Sequence, residues 1–396
     1  MNTVPILFAN KEDCCGCGAC LNNCPKHAIS MKEDTCGFLY PIIDDSLCIR
    51  CGKCKTVCAF QNKGKTNNPI DCYAAISNNT EQATRSASAG IFAAMAEAVI
   101  ENDGIIYGAA FSDNWGVHHI SVDKLHELIA LQGSKYAHSE TGKVFIEAKE
   151  ELQTGRQVLF SGTPCQIAGF KAYLGKEYEN LITVDIVCHG VPSVRMLQAY
   201  LKTFENKYGG KITAFTFRDK SIGWGINGSA VINGKRIKIW QSASSYLYYF
   251  GQGSLYRDNC YHCPYANSNR PADLTIGDYW GIEKQHPELL SKRGWDETKG
   301  ISLLLVNTQK GKSFLENSRI HIEIAPSSFR KISAGNEQLN HPSIDKTNGE
   351  ILKAFETGGW DSIENRFRLN RGLRLYQSQI KSILPTGLKR ILKRYL

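Results

Sequence analysis

The sequence predicts a small cysteine-rich module, then an α/β body built on a mixed sheet, then a basic helical tail. Three observations carry that prediction. Two identical C-x2-C-x2-C-x3-C runs fall within the first 62 residues. Short apolar strands alternate with helix-length segments between about residues 90 and 200. The stretch 366–396 holds nine Lys or Arg and no acid.

The first run is Cys14, Cys17, Cys20 and Cys24, followed by Pro25; the second is Cys48, Cys51, Cys54 and Cys58, followed by Ala59. This is the spacing of two-cluster bacterial ferredoxins, in which the fourth cysteine of each run ligates the other cluster. Cys14, Cys17, Cys20 and Cys58 are therefore expected on one 4Fe–4S cluster, and Cys48, Cys51, Cys54 and Cys24 on the second. Two-residue gaps wrap a short loop around one cubane, and the three-residue gap carries the chain to its neighbour. Disulfides and structural zinc are the competing uses of cysteine, but neither calls for two interleaved sets of four. Residues 1–62 thus read as an α+β electron-transfer module.

The chain has 396 residues, enough for two or three domains, and 15 cysteines, eight of them absorbed by the two runs. Met1–Asn10 has neither a basic start nor an apolar core, so no secretory leader is expected. No stretch approaches the length of an apolar membrane span. A reduced, cytoplasmic setting is expected. The net charge of +9 resembles a nucleic-acid signal until it is located. Of 47 Lys and Arg, the nine in the tail leave as many bases as there are acids, 38, so residues 1–365 are neutral. No nucleic-acid partner is expected for the body.

A polar linker, Gln61–Pro69, follows the module. The body divides into residues 70–150 and 151–330, with a connecting segment 331–365 before the tail 366–396. A helix is predicted over the Ala-rich stretch 90–100, a buried strand over 104–111 and a helix over 144–153. Two strand–loop–helix units follow, 158–174 and 181 onward, the second helix starting at Ser193. Segments 211–218 and 229–239 read as antiparallel strands, the latter a hairpin turning at Asn233-Gly234. Gly223–Gly228 matches G-x-G-x-x-G in letters but lacks a following helix, so it is set aside as a dinucleotide motif.

Loops after parallel strands gather at the carboxyl edge of a sheet, where such folds bind cofactors. Ser161, Gly162, Thr163 and Pro164 form one such loop, offering N–H groups and hydroxyls to a phosphate. Cys188, His189 and Gly190 form another, and the Arg85–Gly90 loop, with Ser88 and Gly90, a third. Together they predict a flavin or nucleotide site. Cys260 and Cys263 form a C-x2-C pair, and with Cys165 and Cys188 could hold a third 4Fe–4S cluster; zinc, or unrelated buried thiols, are the other uses of such a set. Cys15, Cys36 and Cys72 are surplus and read as small hydrophobes. His27 reads as a surface residue. Asp278 either contacts a ribose or flavin or caps a turn.

Five segments, Phe160–Phe170 (FSGTPCQIAGF), Asp185–Pro192 (DIVCHGVP), Phe217–Asp219 (FRD), Cys260–Pro264 (CYHCP) and Ile276–Gly281 (IGDYWG), together resemble the coenzyme F(420) hydrogenase/dehydrogenase beta-subunit family. The resemblance covers about residues 1–330. It implies FAD in the α/β body, one-electron transfer through clusters, and hydride exchange at the flavin with a deazaflavin or another acceptor. It also adds Lys135 and Tyr136, which match the family's GSKY segment. The reading is an iron–sulfur flavoprotein oxidoreductase with no catalytic residue assigned; the alternative is a non-catalytic subunit that delivers electrons to a partner enzyme. Its partner would be a redox protein or a small electron carrier. The tail, with apolar residues interleaved among its cations and an interruption at Pro385, would dock on an anionic membrane surface, or form a solvated helix packed on the body or on an acidic partner.

Overall fold

The computed structural model describes residues 3–317, 321–344 and 347–375. Within the N-terminal module two one-turn helices, α1 (Ala19–Asn22) and α2 (Lys53–Thr56), sit at equivalent places in the two cysteine runs. Each follows a glycine in the left-handed region, Gly18 at φ 77° and Gly52 at φ 72°, a conformation glycine adopts without a Cβ penalty. Strands β1 (Ile29–Glu33) and β2 (Leu39–Ile43) pair antiparallel, Ile29 opposite Ile43.

The body is built on an eight-stranded sheet. Its strands are β3 (Asp71–Ser77), β4 (Ile105–Phe111), β5 (Val117–Val122), β6 (Val158–Gly162), β7 (Leu181–Ile186), β11 (Leu274–Asp278), β12 (Ser302–Val306) and β13 (Ile322–Pro326), in the order β13-β3-β12-β11-β7-β6-β4-β5. The central four, β11-β7-β6-β4, are parallel, and the flanking strands join antiparallel. The sheet is mixed, as expected, with the antiparallel share at both edges. β5 returns from β4 through a tight turn at Ser112–Gly116, which only an antiparallel neighbour permits.

After a short helix α3 (Thr80–Arg85), helix α4 (Ile91–Ile100) covers one face of the sheet; α5 (Val144–Gln153) and α6 (Pro164–Leu174) cover the other. Ala93, Ala94, Met95, Ala96 and Val99 of α4 are wholly buried, so its near-uniform apolarity fits an enclosed position. Helix α7 (Val194–Tyr208) begins just after Ser193, which accepts a hydrogen bond from the Met196 amide.

A second sheet holds β8 (Ile212–Thr216), β9 (Gly228–Ile232) and β10 (Lys235–Ile239), all antiparallel. The hairpin turns at Asn233 (φ 50°) and Gly234 (φ 72°), the positive-φ pair that a two-residue hairpin turn needs. Gly228 opens β9 rather than a helix, and a Cβ there would sit 2.4 Å from the Thr216 carbonyl oxygen. The glycine serves strand pairing, not a phosphate. This sheet packs with α7, α8 (Ser245–Gly251) and the helix Asn348–Arg371 around Tyr200, Phe217, Tyr246 and Trp360.

The expected boundary at 365/366 falls inside that last helix. Residues 366–371 complete it, and Phe367 is buried against Tyr248 and Tyr249. The first cations of the tail thus sit on a helix anchored to the body. The remainder of the expected amphipathic tail, 376–396, lies outside the described residues. No helix among the described residues is long and apolar enough to cross a membrane.

One buried ion pair ties the sheet to the C-x2-C loop. The Arg270 guanidinium donates to Asp185 Oδ1 (2.8 Å), the Ile186 carbonyl (3.0 Å) and the Tyr265 carbonyl (2.7 Å), and both charged residues are fully buried. Removing one partner strands the other charge, so Arg270→Met should cost about 3–5 kcal/mol in urea unfolding. Lys211→Met, on an exposed pair, should stay within about 0.5 kcal/mol of the parent.

Candidate functional site

The carboxyl ends of β4, β6, β7 and β11 open onto a cavity of about 290 Å³. Its wall brings together Ser88, Gly90, Lys135, Tyr136, Ser161, Gly162, Thr163, His189, Gly190 and Asp278. Pro164 is not among them; it opens α6 and faces the neighbouring cavity. Gly190, at φ 139°, passes so close to Tyr256 that a Cβ would lie 2.3 Å from its ring.

Two of the loops expected to receive a phosphate open onto helices, α6 and α4, and the two helix starts differ. Thr163 is engaged in a capping box: its hydroxyl donates to Gln166 Oε1 (3.0 Å) and its amide donates to the same oxygen (3.1 Å). The start of α6 is thereby satisfied from within the chain. The start of α4 is different. Its N-cap is Gly90, which has no side chain to cap the first turn, and Ile91 and Phe92 face the cavity. Beside it the Ser88 hydroxyl is buried without a hydrogen-bond partner, and Lys220 donates to the Ala83 and Ser88 carbonyls. Open amides, an orphaned hydroxyl and a nearby cation fit an anionic group.

Across the cavity Arg218 is held in a bidentate pair with Asp278 (2.7 and 3.0 Å) and donates to the Tyr136 hydroxyl (3.2 Å). The Trp224 indole N–H donates to Asp278 Oδ1 (2.8 Å), and Trp224 stacks on Trp280 with ring centres 4.7 Å apart. Asp278, expected to touch a ribose or flavin or to cap a turn, lines the cavity and orients Arg218. Lys135 donates to the Ala130 and Gln132 carbonyls (2.8 and 2.9 Å), and burial pushes its ammonium down to about 7.

Two histidines that the sequence did not mark also line this cavity. His119 stacks on Phe160, donates from Nε2 to the Ser161 carbonyl (3.1 Å), accepts from the Ser139 hydroxyl at Nδ1 (2.8 Å), and is pushed down to about 4 by burial. His138 is buried with its Nε2 unpartnered, and burial pushes it down to about 3. Neither sits in a motif, so no local signal could have found them.

Three smaller cavities carry the cysteines. One is lined by Cys24, Cys48, Cys51 and Cys54, the crossed set expected for the second cluster. The next is lined by Cys14, Cys17, Cys20 and Cys58, the crossed set for the first, with Cys15 and Cys54 also in its wall. The third is lined by Cys165, Cys188, Cys260 and Cys263, again with Cys15. A single ion would draw its ligands to a point. Among the described residues no group of three or more His, Cys, Asp or Glu converges in that way, in the N-terminal module or the body.

Cys36 and Cys72 sit as expected of small hydrophobes, and His27 is exposed. Cys15 does not. It is buried in hydrogen-bonding contact with both Cys17 and Cys165, and this holds the Cys165 thiol down while pushing its own up. Burial pushes Cys188, Cys260 and Cys263 up, with each neighbouring thiolate adding to the effect.

Because His119 is held neutral in the fold, its folded value lies below the unfolded 6.5. Its contribution is complete above pH 6.5 and lost as pH falls toward 4, by roughly 3 kcal/mol over that window. His119→Gln should flatten the acid limb of stability against pH between 6.5 and 4, read from thermal midpoints.

Residues 155–329 match the family model for the C terminus of the coenzyme F420 hydrogenase/dehydrogenase beta subunit, and residues 13–62 match that of the 4Fe-4S dicluster domain. Curated proteins gave no match. Among solved structures, a chain of the xenon-derivatised F420-reducing [NiFe] hydrogenase complex from Methanosarcina barkeri is similar at 17% identity. That alignment covers 74% of this chain and 94% of the other with a TM-score of 0.48.

Proposed function

From a chain that carries a 4Fe–4S dicluster domain and the C-terminal domain of the coenzyme F420 hydrogenase/dehydrogenase beta subunit, we propose an iron–sulfur flavoprotein oxidoreductase. It passes electrons between the two N-terminal clusters, a third cluster at Cys165, Cys188, Cys260 and Cys263, and FAD in the large cavity. The observation that carries this reading is the sharing of walls. Cys54 lines both N-terminal cysteine cavities, and Cys15 lines the first-cluster cavity and the third. His138, Thr163, Cys188, His189, Gly190 and Val191 line both the third cavity and the large one. Four cavities therefore form a series, each sharing wall residues with the next.

A flavin bound there would supply the exchange of one hydride for two single electrons. The chain's own residues have narrower tasks. The start of α4, with Ser88 and Gly90, would receive a phosphate. Arg218, fixed by Asp278, would present a cation to an electron-rich edge of the cofactor or its acceptor, a deazaflavin or another two-electron carrier. Lys135, with its ammonium held near neutrality, can hold or release a proton at Nζ. The apolar wall of Phe92, Leu131 and Phe250 would limit water.

A second reading has one observation in its favour. Cys51 is exposed, so the second cluster would sit at the surface where a protein partner can reach it. A subunit that only delivers electrons to a partner enzyme would need that surface and no acceptor of its own. Turnover of a two-electron acceptor by the isolated chain favours the first reading; its absence, with flavin bound, favours the second.

Anaerobically prepared protein should contain extractable FAD and iron beyond the N-terminal pair. Cys263→Ser should lower the iron content by about four atoms per chain; unchanged iron would remove the third cluster from the account. Ser88→Ala should weaken FAD binding by about 1 kcal/mol or more, a several-fold rise in Kd. Gly223→Ala, outside the cavity, should leave that Kd unchanged, and the reverse pattern would mean the flavin lies elsewhere.

A further inference from the structure

Arg257 is the second largest puzzle of charge in the molecule after Arg270, and unlike Arg270 it has no carboxylate to answer it. Its side chain is fully buried, yet among the described residues no carboxylate lies within ion-pair distance. Nε donates to the Cys14 carbonyl (2.8 Å), Nη2 approaches Cys14 Sγ (3.7 Å), and Nη1 has no hydrogen-bond partner. The guanidinium lies over the Tyr40 ring at 3.9 Å. A Cβ on Gly16 would meet Nη1 at 3.2 Å, so the charge rests against the loop that carries Cys14 and Cys17. Buried charges are normally paired, and a lone one is strongly unfavourable.

The missing partner is supplied by the chemistry of that loop. A 4Fe–4S cluster with four thiolate ligands is anionic, and more so when reduced. A fixed cation beside it offsets its own burial and stabilises the reduced form over the oxidised one. Among the described residues the second run has no buried counterpart: Arg50 is exposed and pairs with the exposed Asp45, and Lys53 and Lys55 are exposed. The backbone of Arg257 meanwhile belongs to the third cysteine site, its N–H donating to Val191 and its carbonyl accepting from Cys260.

We propose that Arg257 is the fixed counter-cation of the first N-terminal cluster, raising its reduction potential above that of the second so that electrons are drawn inward. The proposal needs only the two clusters of residues 13–62; it stands whether or not the flavin and the third cluster are present.

The test is a redox titration of the whole anaerobic chain followed by electron paramagnetic resonance, with signals assigned through Cys51→Ser. Arg257→Gln should lower the reduction equilibrium constant of the first cluster at least tenfold, equal to about 59 mV for one electron. The second cluster should change less than twofold. A first cluster unmoved in Arg257→Gln at full iron content, or both clusters shifted alike, would overturn the proposal. Should that variant lose the cluster, Arg257→Lys decides. Retained charge predicts a constant within about threefold of the parent, and a tenfold fall would show that packing rather than charge sets the potential.

Discussion

The structure depends on the interlock between the first cysteine loop and the body. Gly169 on α6 is the contact point: a Cβ there would lie 2.7 Å from Cys17 Sγ, so only glycine lets the helix approach the ligand loop. Thr141 donates to the Cys17 carbonyl (2.9 Å), Asn22 to the Gly142 carbonyl (2.8 Å), and Arg257 to the Cys14 carbonyl. These bonds reach from the module into two separate parts of the body, at Thr141–Gly142 and at Arg257. The module is seated by its ligand loop, leaving no independent globule on a tether.

That seating gives the series of cavities its continuity. Cys15 can lie in two walls because the loop carrying it is pressed onto Cys165 at the start of α6. The same helix start closes its own capping box, and in the proposed function the phosphate goes to the start of α4. Arg270 then fixes the C-x2-C loop to the end of β7, so that Cys188 and Cys263 face one space. Each constraint is local, and together they align the redox sites.

Much of this was legible in the sequence where chemistry depends on spacing. The doubled cysteine run predicts two crossed sets of four, and the residues of each set line one cavity, with Cys15 and Cys54 also in the wall of the first. The strand–loop–helix units around Ser161 and Cys188 helped place ten of eleven expected cofactor residues in one wall, because parallel strands put their following loops on one edge. What escaped reading was partner choice. That Thr163 is bonded to Gln166, and Asp278 to Arg218 and Trp224, could not be read from spacing. Cys15 looked surplus because no spacing rule covers a residue beside a ligand; its proximity to Cys165 is purely tertiary. His119, His138 and Arg257 gave no periodic or motif signal at all.

The most direct test of the central claim is an iron-edge anomalous map from crystals of anaerobically prepared protein. The account predicts three separate iron clusters, at Cys14/Cys17/Cys20/Cys58, at Cys24/Cys48/Cys51/Cys54 and at Cys165/Cys188/Cys260/Cys263, with flavin density against the start of α4. Iron confined to the N-terminal module, with the large cavity holding no flavin, would contradict it.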